Sequence, residues 1–348
     1  MTLSLYVDTA RWRAHQQAVL AEFPGLVPVA KGNGYGLGND RLAAEAGLLG
    51  TGLLAVGTAA EAAEALDEYP GDLLVLTPYR AGEESPALPA RVLRTVAHVD
   101  ALRALPSGSR VVVECMTSMR RHGISPADLH SLPMDEVVFH APATIEGYAL
   151  HLPLDRPDGS DPVAEVAQWV NAISAAGRPT ATVFLSHLGS ADLARLSEQF
   201  PDTVFRSRIG TRLWLGDIGA LEARATVLDV TPVAKGDRYG YRQHKAPSDG
   251  HLLVVTGGTA HGVGLEAPKY VHGMVPRAKG LARAGLATVN RTLSPYSWEG
   301  RQLWFAEPPH MQVSILFLPS ESKPPIAGDE LRLNVRHTTT HFDRVVDR

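Results

Sequence analysis

The sequence predicts an α/β protein, a (β/α)8 barrel followed by an all-β domain, on three observations. Short apolar runs alternate with helix-like stretches over the first two thirds of the chain, which is typical of parallel βαβ units. Eight such runs are present, the number that closes a TIM barrel. After about residue 220, apolar runs follow one another without helices between them, which indicates a β domain. We therefore expect a barrel domain over residues 1–220 and a β domain over residues 221–348.

The barrel strands are predicted from β-branched and aliphatic runs of strand length. These runs are VPVAK (27–31), LLAVG (53–57), LLVLT (73–77), LRTVA (93–97), RVVVEC (110–115), TIEGYAL (144–150), ATVFLS (181–186) and VFRSR (204–208). Helices are predicted from the alanine- and leucine-rich stretches between them, DRLAAEAGLL (40–49), TAAEAAEALDE (58–68), DPVAEVAQWVNAISAAG (161–177) and SADLARLSEQF (190–200). In such barrels the chemistry lies at the C-terminal ends of the strands, so residues ending these runs are candidate site residues.

The strands of the second domain are predicted from apolar runs separated by proline and glycine. They are TVLDVTPVAKGDRYGYRQ (226–243), GHLLVVTGG (250–258), RQLWFAEPP (301–309), MQVSILFLPS (311–320) and DELRLNVRH (329–337). The opening run LSLYVD (3–8) also has strand character and is able to join either domain.

Composition excludes several classes of function. With 33 basic and 37 acidic residues the formal net charge is −4, too balanced for a nucleic-acid or acidic-membrane partner. Cys115 is the single cysteine, so neither an internal disulfide nor a cysteine zinc cluster is possible, which fits a reducing compartment. The chain has no apolar run of about 18 residues and no signal-peptide pattern at its start, so we expect a cytoplasmic protein.

Lys31 is the first candidate for chemistry, because it ends the first barrel strand and precedes glycines at positions 32, 34 and 36. Neighbouring side chains at a strand end desolvate a lysine, which depresses its pKa and frees the amine as a nucleophile. Forming a Schiff base with an aldehyde cofactor is a typical use of such a lysine. The competing interpretation, a strand-end lysine before an ordinary Gly/Asn turn, has about equal weight on these residues alone.

VAKGNGYGLG (29–38) resembles the lysine motif of the alanine racemase family, barrel enzymes that use pyridoxal 5'-phosphate (PLP). The resemblance implies that Lys31 carries PLP and that the Tyr35 hydroxyl bonds its phosphate. MTSMRRHGIS (116–125) is similar to a later family segment and implies that Arg121 holds the substrate carboxylate. A modified lysine often supports that arginine in the family; Glu114 stands there in this chain, and a carboxylate is able to pair with Arg121 directly.

Two histidines compete for the place against the cofactor ring. TIEGYALHLPL (144–154) resembles a family segment whose histidine stacks on the pyridine, which implies this role for His151. In FLSHLGSAD (184–192), His187 with Gly189 and Ser190 forms the pattern H-x-G-S of related barrel decarboxylases, in which the histidine stacks. We expect His151 to stack and Ser190 to bind phosphate, with His187 as the alternative.

SRIGTRLWLGD (207–217) follows the eighth strand, where barrels commonly build a phosphate site from loop amides and a helix start. By its resemblance to a family segment, Arg208 would face the pyridine nitrogen and keep it unprotonated, which favours simple reprotonation. The amides of Gly210 and Thr211 would meet the phosphate.

KGDRYGYRQ (235–243) matches the family strand that supplies the second catalytic base, and it places Tyr241 at that position. Racemisation needs an acid/base group on each face of a planar carbanion, and the resemblance implies Lys31 on one face and Tyr241 on the other. In the family this tyrosine comes from the partner subunit, so a homodimer with shared sites is implied. The alternative is that Tyr239 and Tyr241 pack together across a sheet.

The substrate entrance departs from the family pattern. Thr259 and His261 in GGTAHGVG (257–264) replace an expected tyrosine and aspartate. HMQVS (310–314) resembles a family segment at the substrate entrance, which implies that Met311 contacts the substrate, and Gln312 replaces an aspartate of that segment. The identity of the substrate is therefore open, with alanine or another small amino acid as the expectation.

We expect a PLP-dependent amino-acid racemase, and three alternatives compete with this expectation. A decarboxylase on the same scaffold is favoured by H-x-G-S, but the glycine-rich GGG and the EPGR segments of those enzymes are absent from the sequence. A non-catalytic PLP-binding protein would not need the second domain. A metal-dependent hydrolase would need clustered ligands, and His140 and His151 have no H-x-H pair beside them. We expect no metal.

Overall fold

A computed structural model describes residues 2–82, 86–132, 143–178, 181–265 and 292–348. The chain divides into two compact units, Arg13–Gly216 and the segment ending at Trp12 together with Asp217–Arg348. The first strand, β1 (Leu3–Val7), lies in the sheet of the second unit, where Leu5 pairs with Ala223. The division therefore differs from a barrel domain over residues 1–220, because the opening strand adds to the β sheet.

Eight parallel strands close the barrel of the first unit. They are β2 (Val27–Ala30), β3 (Leu53–Val56), β4 (Asp72–Val75), β5 (Val92–Val96), β6 (Arg110–Cys115), β7 (Thr144–His151), β8 (Thr182–Ser186) and β9 (Val204–Ile209). β2 pairs with both β3 and β9, which completes the circle. All eight predicted barrel strands are confirmed.

The α-helices precede or follow these strands. They are α1 (Thr9–Glu22), α2 (Asn39–Leu48), α3 (Ala59–Ala65), α4 (Val99–Arg103), α5 (Pro162–Ala175), α6 (Ser190–Gln199) and α7 (Thr211–Leu215). α3 starts with a capping box in which Thr58 and Glu61 satisfy each other's backbone N–H groups. α5 starts at Pro162, and the Asp161 side chain accepts from the N–H of Val163. The four predicted helices are confirmed, with small differences at their ends.

The side chains of the barrel strands alternate between two cores, as a strand's period of two requires. The inner core contains Val27, Val29, Leu53, Ala55, Leu74, Leu93, Val112, Ala149 and Phe184. The outer core lies between strands and helices and contains, among others, Val111, Val113, Tyr148, Leu150 and Phe205 from the strands with Val166, Trp169 and Ile173 from α5. This alternation determines which residues at the strand ends face inward.

The second unit is a β sheet around its own core. Its further strands are β10 (Leu221–Val233), β11 (Arg238–Tyr239), β12 (His244–Lys245), β13 (Gly250–Thr256), β14 (Leu293–Trp298), β15 (Arg301–Phe305), β16 (Val313–Pro319), β17 (Glu330–Leu333) and β18 (Arg344–Asp347). The main sheet has the order β13-β16-β15-β14-β17-β10-β1-β18, and β10 also pairs with β13. The predicted all-β domain is thus confirmed.

The segment after β10 is less regular than the predicted strand over 226–243. β10 ends at Val233, and β11 and β12 form a separate two-stranded ribbon. Tyr241 lies in the turn between them, and the positive φ of Gly240 (71°) and of Gln243 (53°) reverses the chain there. Tyr239 and Tyr241 therefore do not share a strand face. Within the described segments, none of the helices has the length and apolar character needed to cross a bilayer.

Candidate active site

Five polar residues continue the inward-facing rows beyond the last apolar layer of the barrel. They are Lys31, Glu114, His151, Ser186 and Arg208. The first four each follow an inward-facing apolar residue of the same strand by two positions, so they face inward as well. Arg208 follows the outward-facing Phe205 by three positions, which also places it on the inward face. All come at the C-terminal end of a parallel strand, the end at which barrels place their chemistry. The alternation of the strands therefore assembles one polar site.

Lys31 follows the last residue of β2 and is held by the start of α3. The Glu61 carboxylate accepts from the N–H of Gly32 at 2.7 Å and from the N–H of Thr58 at 3.0 Å. Gly57 lies between Lys31 and the Glu61 carboxylate, since a Cβ at position 57 would collide with that carboxylate and approach the Lys31 Cβ to 3.1 Å. Partial burial, followed by the positive charges of Arg121 and Arg208, lowers the pKa of Lys31. A lowered pKa increases the fraction of unprotonated, nucleophilic amine.

Tyr35 is buried beside the first residues after β9. Its backbone has φ of 57°, in the left-handed region, and its hydroxyl shares a side-chain hydrogen bond with Thr211. Burial raises the pKa of Tyr35 to about 12, so the hydroxyl keeps its proton and is able to donate. Gly210 accommodates this ring, because a Cβ at that position would collide with the Tyr35 hydroxyl. The predicted phosphate residues Tyr35, Gly210 and Thr211 therefore lie together.

Arg208 and Glu114 form a buried ion pair between β9 and β6. The distance from Nη1 to Oε2 is 3.4 Å, and the two side chains are 5% and 3% exposed. The carboxylate expected beside Arg121 is thus paired with Arg208 instead. Arg208 Nη2 is buried and has no hydrogen-bond partner among the described residues. A buried donor of this kind fits an acceptor atom of a bound group.

Arg121 lies in an exposed loop after β6 that folds back on its own strand. The N–H of Met116 donates to the carbonyl of Ile124, and the N–H of Ile124 donates to the carbonyl of Glu114. Gly123, with φ of 139°, permits the return, since a Cβ would meet the backbone of Cys115. The charge of Arg121 lowers the pKa of Lys31 and of His151. Arg121, the predicted carboxylate-binding residue, therefore lies close to both of them at the C-terminal end of the barrel.

His151 and His187 lie side by side at the ends of β7 and β8. Their ring centroids are 5.0 Å apart with planes inclined at 67°. Burial first, then Arg121 and Arg208, lowers the pKa of His151 to about 3, so the ring is neutral at physiological pH. His151 Nδ1 lies 3.0 Å from Ser186 Oγ, and His187 Nδ1 donates to the carbonyl of Leu152 at 2.9 Å. Which of the two rings stacks on the cofactor stays a prediction.

Ser190 begins α6, and its hydroxyl is engaged with a carboxylate. Oγ donates to Glu22 Oε1 at 3.1 Å, and the other oxygen of Glu22 pairs with Arg212. The predicted role of Ser190 on a phosphate therefore requires its hydroxyl to rotate away from Glu22.

Three of the residues predicted in the β unit line one cavity of about 400 Å3. Tyr241, Thr259 and Met311 contribute to it, together with Arg242, Glu307, Pro308, Pro309 and His310. Tyr241 and Met311 are strongly exposed, at 84% and 71%. His261 is instead buried and pairs with Asp343 at 3.2 Å. The backbone carbonyl of Gln312 accepts from the N–H of Gly257 at 3.1 Å.

Sequence reasoning missed three residues that contact predicted site residues or their immediate neighbours. Glu61 holds the backbone after Lys31, and the T-x-x-E spacing of a capping box in TAAE (58–61) could have revealed it. Glu307 and His310 contact Tyr241, and no local pattern in AEPPH (306–310) points to that contact. His140, a histidine that a metal-dependent hydrolase would use as a ligand, lies outside the described residues. In the part of the chain that is described, no three His, Cys, Asp or Glu side chains are grouped to hold a metal ion.

Comparison with known proteins agrees with this architecture. The family model described as "Alanine racemase, N-terminal domain" matches residues 7–215. The comparison with curated proteins gave no match. Among solved structures, alanine racemase from Bartonella henselae with covalently bound pyridoxal phosphate is 17% identical with a TM-score of 0.68, covering 97% of this chain and 91% of that one.

Two further structures are similar over almost their whole length. Alanine racemase of Clostridium difficile 630 is 14% identical with a TM-score of 0.67, covering 100% of this chain and 96% of that one. The enzyme from Streptomyces lavendulae, a D-cycloserine producer, is 18% identical with a TM-score of 0.66, covering 100% and 97%. At these identities the structures show a common fold. Because the family model matches more than half of the sequence, this chain belongs to the alanine racemase family.

Proposed function

We propose that this protein is a PLP-dependent amino-acid racemase that transfers the α-proton of alanine, or of another small amino acid, between two faces. The observation that carries the proposal is the polar group at the barrel mouth. There, a lysine with a lowered pKa lies within the influence of two arginines, and one of these arginines has a buried unpartnered donor. This combination fits an anionic cofactor that attaches to the lysine.

PLP is the cofactor of this family, and the residues present fit it. Arg208 Nη2 is buried without a partner, and the pyridine nitrogen is an acceptor that would satisfy it. Tyr35, with the amides of Gly210 and Thr211, would hold the phosphate, since the protonated Tyr35 hydroxyl is a donor at the start of α7. Lys31 would be the covalent attachment point.

The proposed roles of the residues follow from their charge and position. When bound, PLP would supply an aldehyde carbon on which the amino group of the substrate replaces the amine of Lys31, which frees that amine, and a ring that withdraws electrons from Cα and makes the α-hydrogen acidic. Lys31, whose amine is unprotonated at a lower pH than that of an ordinary lysine, takes or returns the proton on one face. Arg121 binds the substrate carboxylate with its planar fork. The His151 ring, which is neutral at physiological pH, would pack against the pyridine.

Tyr241 is the proposed acid/base group of the opposite face. It belongs to the β unit, whereas Lys31 belongs to the barrel unit. We infer that the β unit of a second copy completes each site, which makes the protein a homodimer with shared active sites. The high exposure of the Tyr241 side chain within one chain supports this, because a phenol open to its surroundings is available to a partner.

The substrate class follows from the proposed entrance. Met311 and Thr259 line the cavity at Tyr241, so an apolar and a small polar side chain border the space for the substrate. Such a border suits a small side chain, alanine or one carrying a hydroxyl or a similar polar group.

The test combines absorption spectroscopy with exchange of the α-proton in D2O for both enantiomers of many amino acids. We expect a band near about 420 nm in purified protein and exchange on a small amino acid from both enantiomers. Lys31→Ala should lose the band and the exchange, whereas Lys235→Ala, an exposed lysine of the β unit, should keep both. A band without exchange would point to a PLP carrier or a decarboxylase; an unchanged band in Lys31→Ala would overturn the proposal.

A further inference from the structure

A buried carboxylate lies directly beneath the exposed Tyr241. Glu307 is 5% exposed, and its Oε2 accepts from the backbone N–H of Tyr241 at 2.9 Å. Gly240 makes this approach possible, because a Cβ there would collide with the same carboxylate. A buried charge requires partners, and those of Glu307 are the backbone of the proposed base and one histidine.

That histidine is His310, and its ring lies against the ring of Tyr241. Nε2 of His310 donates to Glu307 Oε1 at 2.7 Å, and the two ring centroids are 4.6 Å apart with an inclination of 38°. The backbone of His310 is fixed on both sides: its N–H donates to Val313 at 2.9 Å, and its carbonyl accepts from Thr259 at 2.8 Å. Both oxygens of one buried carboxylate thus constrain the turn of Tyr241 and the ring beside it.

This arrangement restrains a side chain that would otherwise be free. The phenol of Tyr241 is on a turn and 84% exposed, so few contacts within its own chain limit its rotamers. Among the described residues, the ring of His310 makes a contact that does limit them, and the orientation of His310 is set by Glu307. Because the two side chains meet ring to ring, His310 acts by packing and orientation.

We propose that Glu307 and His310 are positioning residues for Tyr241, holding its phenol in the orientation needed for proton transfer. The inference rests on the proposed function, in which Tyr241 is the second acid/base group, and it adds two residues that the family resemblance did not supply. A misplacement of about 1 Å in a catalytic group lowers rates by up to about a hundredfold, so such support has a measurable effect.

The first test is His310→Ala, with His310→Phe as the conservative variant that restores an aromatic face. We expect exchange on the Tyr241 face, defined by what Tyr241→Phe abolishes, to fall roughly 10- to 100-fold in His310→Ala. Exchange on the Lys31 face and the absorbance of the bound cofactor should be retained. His310→Phe should recover most of the loss. In Glu307→Gln a carbonyl oxygen remains for the Tyr241 N–H, so we expect an intermediate effect.

The second readout needs neither cofactor nor turnover. The nine tyrosines are labelled as 3-fluorotyrosine, and the fluorine resonance of Tyr241 is assigned by its loss in Tyr241→Phe. It should shift in His310→Ala and return toward its original position in His310→Phe. His244→Ala is the matched control, since the ring of His244 lies 6.3 Å from that of Tyr239; it should leave the Tyr241 resonance and both exchange rates unchanged.

The outcomes separate this inference from the proposed function. Equal loss of exchange on both faces, or a Tyr241 resonance that does not move in His310→Ala, would overturn the positioning role. A wild-type protein that exchanges no amino acid would remove the proposed function. In that case the fluorine resonance of Tyr241 is the only readout. A shift in His310→Ala that is reversed in His310→Phe would support the positioning of Tyr241 by His310. A resonance that does not move would overturn it.

Discussion

At the scale of single residues, Arg208 and Glu114 form a charge pair that is buried in the barrel. Both side chains are almost fully buried, and they meet at one point, 3.4 Å apart. Desolvating two charges is costly, so the pair stabilises the fold only while both partners remain. Removing one partner leaves the other as a buried charge whose desolvation is not compensated by an ion pair. The sequence places a carboxylate at position 114, but it does not show whether that carboxylate pairs with Arg121, in the loop after the same strand, or with Arg208 on β9.

We expect Glu114→Ala to reduce the free energy of unfolding by about 3 kcal/mol, because it leaves Arg208 buried and unpaired. The double variant Glu114→Leu with Arg208→Met should be within about 1 kcal/mol of wild type, since no charge remains to desolvate. Denaturation in urea measures both. Glu146→Ala is the control: it breaks a pair with Arg110 in which the two side chains are 31% and 29% exposed, and it should cost no more than about 1 kcal/mol. A double variant as unstable as Glu114→Ala would contradict this account.

His151 gives a pH dependence with a definite sign. Its pKa is lowered from 6.5 to about 3 in the folded protein. Above pH 6.5 both folded and unfolded chains carry a neutral ring, so no proton is exchanged on unfolding. Between pH 6.5 and about 3 only the unfolded chain binds the proton, so stability falls as the pH is lowered, by at most about 1.4 kcal/mol per pH unit.

The measurement compares wild type with His151→Gln. Urea midpoints between about pH 7.5 and pH 5 should decline in both proteins, because burial also lowers the pKa of His187 and His337. The decline should be smaller in His151→Gln. Parallel curves for the two proteins would show that His151 titrates alike in the folded and unfolded states.

At the scale of elements, the joint between β2 and α3 holds Lys31, the proposed catalytic lysine. Glu61 completes the capping box of α3 and also accepts from Gly32, the residue after Lys31. A helix start in one βα unit therefore fixes the strand end in its neighbour. Because the contact is to a backbone N–H, it constrains the direction in which the Lys31 side chain leaves the strand.

We expect Glu61→Ala to cost about 1 kcal/mol of stability through the lost cap and to slow the attachment of added PLP to Lys31. The attachment is followed by absorbance after the cofactor is removed and restored. Glu64→Ala, an exposed position on the same helix, is the control and should affect neither quantity. If attachment is equally fast in Glu61→Ala, the carboxylate serves only the helix.

The elements also show which parts of the structure the sequence encodes locally. Barrel strands such as β3 are short, apolar and flanked by helical patterns, so composition alone identifies them. Once the strands are identified, the alternation of their side chains shows that Lys31 and His151 end inward-facing rows.

Other parts of the structure cannot be read from local sequence. The segment around Tyr241 was predicted as one long strand, because the positive φ at Gln243 cannot be recognised from the type of residue. β1 joins the β unit through pairing with β10, a contact between distant parts of the chain.

At the scale of the whole molecule, the two units divide the proposed chemistry between them. The barrel unit carries the proposed cofactor site, and the β unit carries Tyr241 with its supporting residues. If each site combines the barrel of one copy with the β unit of another, neither copy is active alone. The consequence is that two differently inactivated chains should complement each other.

Mixing Lys31→Ala with Tyr241→Phe tests this. A mixed dimer contains one site with Lys31 from one chain and Tyr241 from the other, and a second site that lacks both. When the two variants are unfolded together in equal amounts and refolded with PLP, about half of the dimers are mixed, and racemase activity should reach about one quarter of the wild-type value. Each variant refolded alone is the control and should be inactive. If both residues of a site came from the same chain, no mixed dimer would contain an intact site, and activity would stay at the level of the separate variants. Recovery of about one quarter therefore requires that the β unit of one copy completes the site in the barrel of the other.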